Sequence, residues 1–179
     1  MFRLADVRDP RPLTDEPLAL DLVNTVWIDA TGRHDLFDDP AQQAAWLARW
    51  GLPDGGRTAT AHLVKTREAI RRFLDHRGGD AEAAVNAVLA RGRIRLTLEG
   101  GPGEALEVPA VWEAAWLAVN DLRGLLTERP ARVKHCANPD CVLWFADTTR
   151  SGTRRWCSMT GGCGSRLKAQ RHARRSSTS

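Results

Sequence analysis

Residues 136–163 read CANPDCVLWFADTTRSGTRRWCSMTGGC and contain all four cysteines of the 179-residue chain. The cysteines form two close pairs, Cys136-x4-Cys141 and Cys157-x5-Cys163, with fifteen residues between the pairs. Two close pairs at this separation are typical of a structural zinc site, because four thiolates bind Zn²⁺ tetrahedrally and leave no position open for a substrate water. An Asn-Pro-Asp turn inside the first pair lets its two sulfur atoms face the same way. The spacing therefore predicts one Zn²⁺ per chain, bound by these four residues.

Two other states of the cysteines stay open from the residues alone. An iron–sulfur cluster also takes four thiolate ligands. Disulfides need an oxidising compartment, and the N-terminal sequence MFRLADVRDPRPLTDEP argues against export because acids and prolines stand where a signal peptide has an apolar stretch. We favour zinc because a basic module of about 45 residues buries too little apolar surface to fold unaided, and metal binding of order 10 kcal/mol supplies the difference. We expect a cytoplasmic, bacterial protein.

The charge of the chain changes abruptly just before the cysteines. Residues 132–179 contain ten Lys and Arg against two acids, a net charge of +8, whereas residues 1–131 carry a net charge of −4. Such a change in composition predicts a domain boundary near Pro130, with one domain over each of these ranges. The basic segment is typical of a region that binds a polyanion.

The residues around the cysteines predict a small treble-clef-like module. Residues 142–145 favour a strand, residues 153–156 a returning strand, and the sequence from Ser165 onwards a helix whose bases recur at spacings of three and four. We expect Trp144 and Trp156 to pack in this module rather than to stack on bases. The candidate DNA contacts are Arg154, Arg155, Arg166, Lys168, Arg171, Arg174 and Arg175. RNA and an acidic protein are the alternative partners.

Residues 17–28, PLALDLVNTVWI, are the most apolar stretch of the N-terminal part. We predict a helix here because Asp21, Asn24 and Thr25 would then share one face, at i, i+3 and i+4. The structural interpretation of this face is a buried polar network, which we favour. The functional interpretation is that Asp21 and Asn24 bind a small molecule in a pocket.

The rest of the N-terminal part predicts a mainly helical domain with one β-hairpin, an α+β fold. Asp39 and Asp80 are the expected N-caps of two of its helices. The predicted elements are helices over 40–50, 61–77, 81–91 and 111–126 and a hairpin over 93–108, with Gly-Gly-Pro-Gly as its turn. No apolar run approaches the ~18–20 residues of a membrane span. No catalytic motif is found in residues 1–131, and we expect no enzyme.

The C-terminal residues closely resemble the CGNR zinc-finger family. The signature elements are the first cysteine pair around Asn-Pro-Asp, Phe145-x-Asp147, the run Arg-Arg-Trp-Cys-Ser-Met, and Cys-Gly-x-Arg-x-Lys beginning at Cys163. Ser165 stands where the name-giving Asn of the family would be, and a serine there can still cap a helix. Upstream, PLALDLVNTV resembles the opening helix of the ABATE domain, which accompanies this finger in bacterial proteins.

The resemblance implies a stress-induced transcription regulator, in which the finger binds DNA and the ABATE domain senses a small-molecule effector. A second copy of the chain is a further expected partner, and a membrane is not. The rival hypothesis is a small-molecule-binding protein or enzyme whose activity lies in residues 1–131. In that case, the zinc module would be an RNA- or protein-docking unit.

Overall fold

The computed structural model describes residues 8–158 and 162–165. Over these residues the chain is mainly helical, and its strands form three separate antiparallel pairs. None of the helices in this part of the chain combines the length and the apolar character that crossing a bilayer requires. The elements are α1 Leu18–Val23, β1 Val26–Asp29, β2 Gly32–Asp35, α2 Pro40–Arg49, α3 Gly56–Asp75, α4 Gly79–Leu89, β3 Arg93–Thr97, β4 Gly103–Glu107, α5 Glu113–Glu128, β5 Val133–His135 and β6 Trp144–Ala146. The predicted α+β class, with a small four-cysteine module, is confirmed.

The helix predicted over residues 17–28 is wrong in its second half, because α1 ends at Val23. Thr25 closes the helix, since both its hydroxyl and its amide donate to the carbonyl oxygen of Leu22, at 2.7 and 3.2 Å. The Val-Trp-Ile sequence that follows is β-branched and aromatic, and it forms a strand instead. This strand, β1, pairs with β2 in an antiparallel hairpin that the sequence analysis missed.

Of the two predicted N-caps, the one at α2 is confirmed and the one at α4 is wrong. The Asp39 carboxylate accepts from two amides in the first turn of α2, the nearer at 2.8 Å, and Gly51 takes a left-handed φ of 62° just after the helix. Asp80 was expected to cap α4 but lies inside its first turn. Gly78 and Gly79, with φ of 103° and 58°, turn the chain so that the helix begins before Asp80.

The hairpin formed by β3 and β4 is confirmed, and Ile94 lies opposite Leu106 in its register. Its apolar side chains do not join the core, however: Leu96 is 76% and Leu98 81% exposed. The alternating pattern therefore predicted the local structure correctly, although the apolar face is not covered within the described residues.

In the C-terminal part, β6 pairs with β5, so that Trp144 lies opposite His135. The predicted returning strand over residues 153–156 is wrong, because these residues take no strand structure. Their backbone contributes a single bond to the cysteine turn, from the Ala137 amide to the Arg155 carbonyl oxygen at 2.8 Å. The partner strand of β6 is β5, which precedes the first cysteine, and Lys134 in β5 donates to Asp147 and to carbonyl oxygens of the residues that follow β6.

The buried side chains of the N-terminal and C-terminal parts form one continuous apolar cluster. Leu20 in α1 and Phe145 in β6 are both fully buried within it. The composition change near Pro130 coincides with the end of α5, but the apolar groups on its two sides are in contact. The division into domains of residues 1–131 and 132–179 stays a prediction.

Candidate metal centre and its surroundings

The four cysteines converge on one point. Their sulfur atoms all lie within 4.8 Å of one another, and all four residues are buried. The sulfur atoms of Cys141 and Cys157, one from each pair, are 3.8 Å apart. A tetrahedral metal ion with metal–sulfur bonds of about 2.3 Å requires sulfur atoms about 3.8 Å apart. The donor set and its spacing therefore fit a single tetrahedral ion.

Backbone and side-chain N–H groups point at the sulfur atoms. The Asn138 side-chain amide donates to Cys163 Sγ at 3.3 Å, and the Cys157 amide donates to Cys136 Sγ at 3.4 Å. Such donors stabilise negatively charged thiolates and orient them as ligands. From the sequence, the Asn-Pro-Asp run predicts only a turn at Asn138. Its turn is present, since the Cys141 amide bonds the Asn138 carbonyl oxygen at 3.0 Å, but the amide side chain also bridges to the second cysteine pair.

Hydrogen bonds among the sulfur atoms shift the pKa values of three of the cysteines in different directions. Hydrogen bonds from Cys141 and Cys157 lower the pKa of Cys136. The hydrogen bond to Cys136 raises the pKa of Cys141 to about 12 and, together with the bond to Cys141, also raises the pKa of Cys157. The Cys136 thiolate is thus stabilised by two thiols, and a bound cation would favour the ionised form of Cys141 and Cys157 as well. Metal binding at this site will release protons.

The residues after β6 are organised by the carboxylate of Asp147. This buried group accepts from Lys134 Nζ at 2.7 Å, from the Thr149 amide at 3.0 Å and from the Arg154 amide at 3.0 Å. Burial opposes its ionisation, but the hydrogen bonds from Lys134 and Thr149 outweigh burial and keep the pKa of Asp147 well below its usual range. Asp147 therefore acts as an anionic anchor that ties β5 to the segment leading to Cys157.

Of the seven candidate DNA contacts, two lie in the described residues, and they differ in environment. The Arg154 guanidinium donates to the carbonyl oxygens of Trp156 and Cys157 and lies 4.4 Å from the centre of the Phe145 ring. Arg155 is exposed, with its guanidinium 5.6 Å from the Trp156 ring centre. Arg154 thus supports a metal ligand, whereas Arg155 is available to a partner. Arg166, Lys168, Arg171, Arg174 and Arg175 lie outside the described residues.

The other predicted residues of the module are placed as follows. Trp144 is buried, as expected for a packing role, and Trp156 is half-buried. The Ser165 hydroxyl donates to the Gly162 carbonyl oxygen at 2.9 Å, within the helical turn that includes Cys163. The serine therefore steadies the second cysteine loop. The amides that Ser165 was expected to cap lie outside the described residues, so its capping role stays a prediction.

Asp21 in α1 and Thr25 just after it, which the sequence placed on one helical face, both make buried polar contacts. The Asp21 carboxylate accepts from Trp46 Nε1 at 2.8 Å and forms an ion pair with the buried guanidinium of Arg11. Thr25 accepts from Arg67 Nη1 at 2.9 Å. These contacts match the structural interpretation of the face. A ligand-binding role for Asp21 and Asn24 stays a prediction, and no contact described here supports it.

Asn24 has a different role, because it joins α1 to the cysteine module. Its side chain donates to the Trp144 carbonyl oxygen at 2.8 Å and accepts from the Trp144 amide at 3.0 Å. Two further side chains also bond backbone groups of this segment: the Glu16 carboxylate accepts from the Ala146 amide at 2.7 Å, and Arg71 Nη1 donates to the Val142 carbonyl oxygen at 2.8 Å. We call the four hydrogen bonds of these three side chains the backbone clamp. Sequence reasoning missed Glu16 and Arg71, because neither carries a local motif.

Four buried cysteines with one common centre, fixed to a helical body through backbone contacts, define a helical protein with a zinc-finger module. Family comparison agrees with this class. The chain belongs to the ABATE family, described as "Putative stress-induced transcription regulator", whose model matches residues 16–137. The model of the CGNR zinc finger matches residues 132–176. No curated protein matches the chain significantly. The resemblance seen in the sequence is therefore confirmed.

Proposed function

We propose that this chain is a DNA-binding transcription regulator whose finger contains one Zn²⁺ bound by Cys136, Cys141, Cys157 and Cys163. The observation that carries the proposal is the buried sulfur tetrad at the entrance to the basic C-terminal segment. A closed four-thiolate site has no position for a substrate water, so the metal supports structure and not catalysis. We accordingly propose binding, and not an enzymatic reaction, as the activity of the chain.

The last bases of the basic segment follow the metal ligands directly in sequence. Cys163 is the last ligand, and the bases from Arg166 to Arg175 follow it directly in sequence. A run of bases directly after a metal ligand favours phosphate contacts. Arg155, exposed beside the tetrad, adds a cation on the preceding segment. DNA is favoured over RNA because buried Trp144 is not free to stack on an unpaired base.

Contacts between the N-terminal part and the finger could transmit the binding of an effector to the metal centre. The backbone clamp connects α1 and α3 to residues 142–146, immediately after Cys141. A ligand that shifts either helix would change the position of these residues relative to the metal. Sensing of a small molecule in the bacterial cytoplasm is thus part of the proposal, and its route is the clamp.

The experiment is a titration of full-length, zinc-loaded protein against a fluorescent DNA duplex at increasing salt concentration. Each phosphate that the protein neutralises should lower log affinity by roughly 0.9 per unit of log salt. We expect a steep slope for the wild type and loss of binding for Cys157→Ser. Affinity that barely changes with salt, or binding that survives loss of the ligand, would contradict the proposal.

A further inference from the structure

A short, exposed loop follows β6. Residues 148–153, TTRSGT, connect the anchor Asp147 to Arg154 and contain one base and no acid. We call them the 148–153 loop. All of its residues except Gly152 are exposed, and Arg150 is at its centre.

The carbonyl oxygens of this segment are bonded by two cations of the module. Arg132 Nη1 donates to the carbonyl oxygens of Asp147 and Thr149, and Lys134 Nζ donates to those of Gly152 at 2.6 Å and Arg154 at 3.3 Å. In these bonds, the partial negative charge of each carbonyl oxygen is neutralised by a cationic side chain of the protein. An anion approaching the loop therefore meets fewer free acceptors that would repel it.

The amide groups of the same loop remain available. Within the described residues, the amides of Arg150, Ser151 and Thr153 have no acceptor, and the Arg150 guanidinium has no carboxylate partner. The hydroxyls of Ser151 and Thr153 are hydrogen-bonded to each other at 2.8 Å, which leaves one hydroxyl proton of the pair free to donate. Free amides, hydroxyls and an arginine together form a donor set that suits phosphate oxygens.

The shape of the loop is fixed before any partner binds. The Asp147 carboxylate bonds the amides of Thr149 and Arg154, one near each end of the loop. Gly152 has a φ of 63°, and a Cβ atom there would lie 2.8 Å from Arg132 Cζ. Glycine therefore suits residue 152 because it accepts the left-handed φ, and a Cβ atom there would also push the Arg132 guanidinium from its present position. A fixed loop loses little conformational entropy when it binds.

We propose that the 148–153 loop is a preorganised contact for the phosphate backbone of duplex DNA, with Arg150 as its anchoring side chain. The inference rests on the proposed function and adds a second contact surface, separate from the basic segment after Cys163. Because the donors are backbone amides, hydroxyls and one guanidinium, the contact reads phosphate and not base sequence.

The test compares Arg150→Ala with Arg57→Ala in the full-length, zinc-loaded protein. Arg57 is also an exposed arginine, and it lies at the start of α3, about 21 Å along that helix from Arg71 of the backbone clamp. We expect Arg150→Ala to bind duplexes of any sequence roughly tenfold more weakly, the equivalent of one charged hydrogen bond. The salt slope should fall by about one unit. Arg57→Ala should leave both quantities at their wild-type values.

A second variant, Gly152→Ala, changes the loop without removing charge. It should weaken DNA binding to a similar degree while the zinc content stays at one ion per chain. If the wild type binds duplex DNA but Arg150→Ala keeps the wild-type affinity and slope, the loop inference is wrong and the proposed function stands. Equal losses for Arg150→Ala and Arg57→Ala would also overturn it, since net charge would then explain both. If the wild type binds polyglutamate but no duplex, both proposals fail.

Discussion

The side-chain amide of Asn24 satisfies both backbone groups of Trp144, donating to its carbonyl oxygen and accepting from its amide, across 120 residues of sequence. Asn24 is fully buried and Trp144 is nearly so. Without the Asn24 side chain, the backbone amide and the carbonyl oxygen of Trp144 would both lack a hydrogen-bond partner, at a cost of about 1–3 kcal/mol each. The contact therefore stabilises the helical body and the finger together.

Asn24→Ala should lower the free energy of unfolding by about 3 kcal/mol, because both Trp144 backbone groups lose their partner. Urea unfolding of the full-length protein measures this change. Asn86→Ala is the matched control, since Asn86 is exposed on α4 and its replacement should change stability by less than about 0.5 kcal/mol. Similar results for the two variants would show that the backbone clamp contributes little.

Removing the metal should destabilise the whole chain and not only the finger. Because the apolar cluster includes residues of both parts, we expect one cooperative thermal transition that moves to lower temperature when a strong chelator is added. Elemental analysis before chelation should give one zinc per chain. Two separate transitions, of which only one responds to the chelator, would show that residues 1–131 and 132–179 fold independently.

Glu16→Gln tests the pH dependence of the backbone clamp. Burial raises the pKa of Glu16, although the Ala146 amide and Arg154 act in the opposite direction. With a raised folded-state pKa, the stability that protonated Glu16 contributes is present at low pH and is lost as pH rises through that pKa. Glutamine keeps an acceptor for Ala146 without the charge. The variant should therefore be more stable than wild type at pH 7.

The advantage of Glu16→Gln over wild type should shrink as the pH falls from 7 to 5, which urea unfolding at each pH measures. Glu104→Gln provides a control, because Glu104 is exposed on β4. A Glu16→Gln variant that is less stable than wild type at pH 7 would mean that the electrostatic attraction of the Glu16 carboxylate to Arg154 outweighs the cost of burial.

Neighbouring arginines in the finger should give opposite phenotypes. Arg154→Ala removes the donors to the Trp156 and Cys157 carbonyl oxygens, so a chromogenic chelator should take zinc from it at least about tenfold faster than from wild type. Arg155→Ala leaves these bonds intact and should release zinc at the wild-type rate while binding DNA more weakly. Equal zinc release from the two variants would contradict the structural role of Arg154.

The parts of this fold with a local signal were predictable from sequence. Cysteine spacing identified the tetrad, and Asp39-Pro40 identified the start of α2, because ligand geometry and helix capping act over a few residues. The pairing of β5 with β6 was not predicted, because the residues that stabilise it, such as Lys134, contact groups that are distant in sequence. The helix predicted over residues 17–28 failed at Thr25, whose hydroxyl bonds a carbonyl oxygen that a continuing helix would have used for a backbone amide.

The long separation between Asn24 and Trp144 also affects synthesis of the chain. During synthesis, α1 and Asn24 emerge from the ribosome long before β6 is made. Until then the Asn24 side chain lacks its Trp144 partner, and Leu20 lacks part of its apolar packing. Completion of the core waits for residues 142–146, and therefore for the segment between the two cysteine pairs. A nascent chain that stalls before this segment therefore presents an unfinished core to proteases.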